Sequence, residues 1–255
     1  MSQCLLQASN LSMRFGGLLA VDQMALDVKP GEIVSMIGPN GAGKTTVFNC
    51  LTGFYRPSGG TILFRGEQVQ NLPGHKIARL GVVRTFQNVR LFKGMTVLEN
   101  LLVAQHRHLE TGLLSGLLKT SAFRESEAEA LKKGEYWLDR VGLTKFANRE
   151  AGNLAYGQQR RLEIARCMVT RPQLLMLDEP AAGLNPRETK ELDDLICELR
   201  QHHGVSVLLI EHDMKLVMDI SDRIYVINQG RPLASGSPEE VRNHPEVIKA
   251  YLGES

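Results

Sequence analysis

The sequence predicts an α/β fold on a mainly parallel sheet, with a small N-terminal antiparallel β layer and an inserted helical subdomain. Three observations lead there. Strand-like runs alternate with helix-like ones through most of the 255 residues, the pattern of a parallel sheet with crossover helices. Residues 38–46 read Gly-Pro-Asn-Gly-Ala-Gly-Lys-Thr-Thr, which fits G-x-x-x-x-G-K-[ST] between an apolar run and a helix, the sequence of a phosphate-cradling P-loop. Between Asn88 and Arg171 the alternation stops and apolar residues recur at helical spacing. A chain of this length can bury one large core, or one core with a satellite. We therefore expect a single domain, residues 1–255, with a core subdomain at 1–87 and 165–255 and a helical subdomain at 88–164.

Leu5–Leu11, Ala25–Val28 and Thr61–Phe64 are short, turn-bounded runs that predict the antiparallel layer. Ile33–Ile37 is wholly apolar, as a buried strand would be, and Thr45–Leu51 can start a helix directly after the loop. Val82–Phe86, Leu174–Leu177, Val205–Ile210 and Ile224–Ile227 are β-rich runs suited to central parallel strands. Met95–Gln105, Glu125–Val141 and Gln158–Val169 predict the helices of the inserted subdomain. The Gly and Ser residues of Gly112–Ser121 mark a loop. Ser237-Pro238-Glu239-Glu240 reads as a helix start: Ser as N-cap, Pro in the first turn, acids near the positive end.

Composition narrows the function classes. The 30 Lys and Arg against 28 Asp and Glu give +2, without the electrostatic footprint of a nucleic-acid binder. Cys4, Cys50, Cys167 and Cys197 are scattered and form no CxxC pair, so reduced cytosolic thiols are expected rather than a disulfide frame or zinc site. Met1–Arg14 lacks the layout of a signal peptide, and no apolar run approaches the ~18 residues of a membrane span. The expectation is a cytosolic protein that sits against a membrane protein.

The glycines Gly38, Gly41 and Gly43 allow tight turns in the loop Gly38-Pro39-Asn40-Gly41-Ala42-Gly43, so that successive N–H groups from Asn40 to Thr46 converge on one anion. The helix N-terminus adds its positive end. Lys44 is expected to reach the outer phosphates of a nucleoside triphosphate, and Thr45 to offer its hydroxyl to Mg²⁺. The run Leu174–Leu177 ends in Asp178 and Glu179. Strand ends in α/β sheets are where ligands bind, so Asp178 is expected to hold Mg²⁺ directly or through water, and Glu179 to polarise the attacking water as general base. A strand followed by a solvated acidic turn would look the same on its own.

Upstream of the acidic pair lies Asn153-Leu154-Ala155-Tyr156-Gly157-Gln158-Gln159-Arg160-Arg161. With it the chain resembles the ATP-binding-cassette (ABC) ATPases, in which a Leu-Ser-Gly-Gly-Gln signature precedes the Asp-Glu pair. Leu154, Gly157 and Gln158 match, whereas Ala155 and Tyr156 depart. The resemblance implies that these five residues contact the γ-phosphate of ATP held by an opposing subunit. With Ala155 lacking a hydroxyl, that contact rests on backbone N–H groups. It further implies that Gln87 senses Mg²⁺ and nucleotide, that His212 is the switch histidine on the γ-phosphate, and that Ala182-Gly183-Leu184-Asn185 is the D-loop, with Asn185 where Asp is usual. Phe15 is similar to the aromatic that stacks on adenine, flanked by Ala20 and Val21. A core aromatic is the other reading of Phe15.

Arg14–Val21, Phe48–Tyr55, Val83–Gln87, Glu179–Pro186 and the ending Tyr251-Leu252-Gly253-Glu254 resemble the branched-chain amino-acid importer ATPases. That resemblance implies two different ATPase chains beneath two membrane permeases, fed by a periplasmic binding protein for Leu, Ile and Val. The partner ATPase would be a paralogous F-type chain or a second copy of this one. The location would be the cytoplasmic face of the bacterial inner membrane. Alternatives are another cassette, for lipopolysaccharide export or urea and amide import, or a soluble non-transport cassette ATPase acting on DNA or ribosomes. Leu113, Leu114, Leu117 and Leu118 form an apolar patch in His106–Lys133 that either packs on the helical subdomain or meets a permease or partner ATPase.

Overall fold

The computed structural model describes residues 4–105 and 121–252. The chain forms two compact units, Met1–Gln87 with Gln173–Ser255, and Asn88–Pro172. The loop expected at Gly112–Ser121 and the four leucines beside it lie outside the described residues, except that Ser121 begins a helix.

The first unit carries two sheets. β1 (Leu6–Phe15), β2 (Leu18–Val28), β4 (Gly59–Phe64) and β5 (Glu67–Gln68) form an antiparallel sheet in the order β2-β1-β4-β5. β3 (Ile33–Ile37), β6 (Val82–Arg84), β7 (Leu174–Asp178), β8 (Ser206–Ile210), β9 (Arg223–Asn228) and β10 (Arg231–Gly236) form the second sheet, in the order β10-β9-β3-β8-β7-β6. Its strands run parallel except β10, which folds back antiparallel on β9. β3, β7 and β8 are buried along their whole length, as strands covered on both faces must be.

Helix α1 (Lys44–Leu51) leaves β3 through the glycine loop and buries Val47, Phe48 and Leu51 against residues of both sheets, among them Leu11, Met24, Met36 and Leu208. A second cluster gathers Ile37, Val217, Ile224, Val226, Val241 and Val247. It joins the sheet to α7 (Met214–Ile220), α8 (Pro238–Arg242) and α9 (Pro245–Leu252). α2 (Gly74–Leu80) and α6 (Pro186–His203) complete this unit.

β1 and β2 extend well past the apolar runs that predicted them. Their pairing continues through exposed residues such as Arg14 and Leu18, with register shifts near Asn10, whose φ is 51°. Met13, Val21 and Met24 are still buried there, but beyond the Met13–Val21 pair the ladder continues through exposed residues, so hydrophobic pattern misses the strand ends.

The second unit packs α3 (Val97–Gln105), α4 (Ser121–Arg140) and α5 (Tyr156–Met168), with short 3₁₀ turns at Thr144–Phe146 and Ala151–Asn153. Leu101, Leu138, Leu143 and Leu162 are buried there. Two buried amides fasten it: Gln105 Nε2 donates to Ala130 O at 2.9 Å, and Asn100 Nδ2 donates to Phe92 O at 3.0 Å.

Candidate functional site

The glycine loop lies between β3 and α1, where its tightness has visible causes. A Cβ on Gly38 (φ 157°) would sit 2.0 Å from Ile227 O, and one on Gly43 (φ 103°) 2.8 Å from Ala20 O. Only glycine lets the loop approach β9 and β2 this closely. The loop is also tied from outside, since Gly230 N donates to Ala42 O at 2.9 Å and Asp22 N to Gly230 O at 2.8 Å. Lys44 is buried, and its Nζ donates to Gly38 O at 2.7 Å and Pro39 O at 3.0 Å. Burial pushes its pKa below the ordinary lysine value, opposed by the charges of Glu179 and Asp178, so the ammonium is held among its own loop's carbonyls and two acids.

A cavity of about 540 Å³ opens over this loop. Asn40, Gly41, Ala42, Gly43, Lys44, Thr45 and Thr46 line one side, and Glu179 and His212 line it as well. Phe15 and Ala20 border it too, with Phe15 exposed and edge-on to Tyr55 at 5.3 Å. Val21 does not line it. Its side chain is fully buried in the core, because alternate residues of β2 point to opposite faces and Ala20 takes the outward one. Gly38 and Pro39 contribute the carbonyls under Lys44 rather than the cavity wall.

Four lining residues had no place in the sequence expectation: Leu18, Leu19, Gln229 and Gly230. Gln229 and Gly230 make the two-residue turn between β9 and β10, with φ of 47° and 79°, the left-handed pair that a tight hairpin requires. The only signal for this turn was a Gln-Gly pair between two strand-like runs, and β10 had itself not been predicted.

At the end of β7, Asp178 is buried, and its Oδ2 accepts from Arg84 at 2.8 Å. Glu179 follows with φ 46°, a left-handed conformation that costs a non-glycine residue free energy and turns its side chain off the strand line. Its carboxylate accepts from Gln87 Nε2 at 2.9 Å and meets His212 Nε2 at 3.0 Å. The fold thus brings Gln87, Glu179 and His212, from three separate strand ends, into direct contact.

Glu211 organises the same corner. It is buried and accepts from Ala181 N at 2.7 Å and His212 N at 2.9 Å. Burial raises its pKa above the usual carboxylate range, with Glu179 adding to the shift and the backbone donors opposing it. A carboxylate next to a candidate histidine was the available signal. Asn185 acts locally instead: its side chain accepts from Arg187 N and Glu188 N and caps α6.

The residues 154–158 belong to the helical unit. Leu154 and Gly157 are buried, and Tyr156 is exposed. Ala155, extended at φ −60° and ψ 153°, occupies the N-cap position of α5. Its methyl group has nothing to offer the first-turn N–H groups, and Gln158 Oε1 reaches back to accept from Ala155 N at 3.1 Å. The N–H groups of that first turn have no carbonyl a turn earlier to bind.

The chain belongs to the ABC transporter family, whose model matches residues 21–182. Residues 231–255 match the family described as branched-chain amino acid ATP-binding cassette transporter. The chain is 70% identical, over 100% of both chains, to the high-affinity branched-chain amino acid transport ATP-binding protein LivG of Escherichia coli K12. It is equally 70% identical over the full length of both chains to BraF of Pseudomonas aeruginosa, which carries the same description. Among solved structures it resembles a nucleotide-free ATP-binding cassette from an ABC transporter, with TM-score 0.85, 32% identity, and coverage of 98% of this chain and 100% of that one. The family binds nucleotide, and the chain is of the ATPase-subunit type. Among the described residues no helix is long and apolar enough to cross a membrane.

Proposed function

We propose that this chain is the ATP-hydrolysing subunit of an ABC importer that takes up branched-chain amino acids (leucine, isoleucine and valine). The substrate is supported by full-length identity to two transport proteins of that description and by the match of the C-terminal segment. One observation carries the enzymatic reading: a glycine loop with a buried lysine, the strand-end acid Glu179 and His212 line one cavity, with Asp178 buried next to Glu179 in the chain.

In this reading the triphosphate lies along the loop, and the N–H groups of residues 40–46 point at its oxygens. Lys44 exchanges its carbonyl partners for phosphate oxygens, a gain because charge-assisted bonds are the stronger ones. Phe15, with Leu18, offers an apolar platform for the base. Thr45, Asp178 and Gln87 would hold Mg²⁺, since all three supply the hard oxygen donors that ion takes. Among the described residues no cluster of three His, Cys, Asp or Glu side chains is built to hold a metal, which fits an ion bound largely through substrate phosphates. The chemistry supplied by Mg²⁺ when bound is neutralisation of phosphate charge. Glu179 accepts the proton of the attacking water as general base, His212 orients the Glu179 carboxylate and reaches the γ-phosphate, and Gln87 holds the carboxylate's other oxygen.

The first turn of α5, with Leu154, Ala155, Tyr156, Gly157 and Gln158, serves the nucleotide of a partner chain, so two cassettes share each ATP. That partner is a paralogous chain or a second copy, and both rest on two membrane permeases at the cytoplasmic face, supplied by a periplasmic binding protein. Uptake of labelled leucine in cells lacking this chain tests the substrate. Uptake should be lost and be restored by the intact chain but not by Glu179→Gln; uptake that persists without the chain would overturn the assignment.

A further inference from the structure

We propose that Arg84 is a positioning residue that sets the metal dependence of nucleotide binding by fixing the carboxylate of Asp178. This inference rests on the ATP-site reading above.

Arg84 ends β6, three residues before Gln87, and its side chain is only 7% exposed. Its guanidinium spans three parts of the site at once. Nη1 donates to Asn49 Oδ1 at 2.7 Å and Thr52 Oγ1 at 3.2 Å, both in the helix that follows the glycine loop or at its end. Nε donates to Thr85 O at 3.2 Å, and Nη2 donates to Asp178 Oδ2 at 2.8 Å. The rings of Phe86, Phe54 and Phe48 lie 4.8, 5.3 and 6.0 Å from the guanidinium carbon. A rigid planar fork is the group that can meet four acceptors in fixed directions, which a lysine ammonium cannot do.

The electrostatics of this arrangement are informative. A cation 2.8 Å from Asp178 opposes a second cation at the same carboxylate, so the pair is poorly designed for maximal attraction of metal. It is well designed for direction. Asp178 is held from two sides, by Arg84 at Oδ2 and by Thr85 Oγ1 accepting from Asp178 N at 3.3 Å. Outer partners of this kind orient a metal-binding group, and losing them typically weakens metal binding roughly 10- to 100-fold. Because the same guanidinium grips α1, the position of Asp178 is referred to the glycine loop, where the phosphates would be.

The test is the affinity of the full chain for a fluorescent ATP analogue, measured by anisotropy with Mg²⁺ and with a chelator. The informative quantity is the ratio of the two dissociation constants. In Arg84→Met we expect the Mg²⁺-dependent tightening to shrink by roughly tenfold, with metal-free binding near the wild-type value. Arg84→Lys should recover part of the ratio. Asn49→Ala, which keeps the Arg84–Asp178 pair but removes one anchor, should fall between wild type and Arg84→Met, and it decides the matter if Arg84→Met does not fold. A ratio unchanged in the folded variants would overturn the proposal. A ratio that rises would overturn it too, showing that the guanidinium only competes with metal. If the wild-type chain itself binds no nucleotide, the ATP-site reading fails as well, an outcome distinct from either.

Discussion

The helices at the two glycine-bearing loops begin differently from those in the connecting loops. α1 follows Gly43 and α5 follows Ala155, and neither residue supplies a side-chain acceptor to the first turn. α6, α7 and α8 follow Asn185, Asp213 and Ser237, and each of these accepts first-turn N–H groups through its side chain. α2, starting after Pro73, is uncapped as well, so the division is not absolute. A side-chain cap occupies the donors that an incoming anion would use, and forgoing it costs about 1 kcal/mol. The helix starts assigned to phosphate keep those donors available, and α6, α7 and α8 use a side chain to close them. The two open starts also differ from each other. α1 has a buried lysine and left-handed glycines around it, enough to hold an anion alone. α5 has only backbone to offer, which suits a loop that completes a site already occupied.

The largest expected effect on affinity strikes at the self-sufficient start. Lys44→Ala removes the one buried cation from the α1 loop, and nucleotide affinity should fall roughly 100-fold, from about 3 kcal/mol for a lost charge-assisted contact. Anisotropy with a fluorescent ATP analogue measures this. Binding within a few-fold of wild type would mean that the backbone donors of an open helix start suffice, and the contrast between α1 and α5 would dissolve. Glu179→Gln comes next. It leaves the binding loop intact and removes the proton acceptor, so turnover should drop roughly 100- to 10,000-fold, the usual range for general acid–base catalysis, while affinity stays near wild type. Turnover is followed by phosphate release; undiminished release would remove Glu179 from its role.

Legibility in the sequence followed the range of the interactions. The glycine loop is contiguous and could be read residue by residue. The same holds for the apolar run that ends in Asp178 and Glu179. What could not be read was what these residues touch. Arg84 lies 94 positions from Asp178, and no local pattern pairs them. Glu179's left-handed φ is likewise invisible in a Leu-Asp-Glu-Pro string. Gln229 reaches the cavity through a hairpin whose second strand is half exposed and so lacks a clear apolar rhythm. Asn185-Pro186-Arg187-Glu188, by contrast, has the local spacing of a helix start, so the beginning of α6, 18 residues long, is legible within four residues.

That capping box supplies the third prediction, on the closed side of the comparison. Asn185→Ala removes the acceptor for Arg187 N and Glu188 N, so the chain should lose about 1 kcal/mol in denaturant unfolding. Nucleotide affinity of the isolated chain should not change. A change in affinity without a loss of stability would show that this start serves ligand rather than helix.

The smallest effect is expected from closing an open start. Ala155 is exposed and already has the extended backbone of an N-cap. Ala155→Ser therefore needs no rearrangement, and its hydroxyl can accept from the N–H of Gln158. The nucleotide-free chain should gain roughly 0.5 to 1 kcal/mol in urea unfolding, the ordinary difference between Ser and Ala at this position. Turnover in the assembled transporter should change by less than about threefold, because a serine hydroxyl that caps the helix can also turn and donate to phosphate. If stability does not rise, the first turn of α5 is already satisfied by something other than a side-chain cap, and it can no longer be grouped with α1. If stability rises and turnover falls steeply, the methyl group of Ala155 is itself part of how α5 meets the partner's nucleotide.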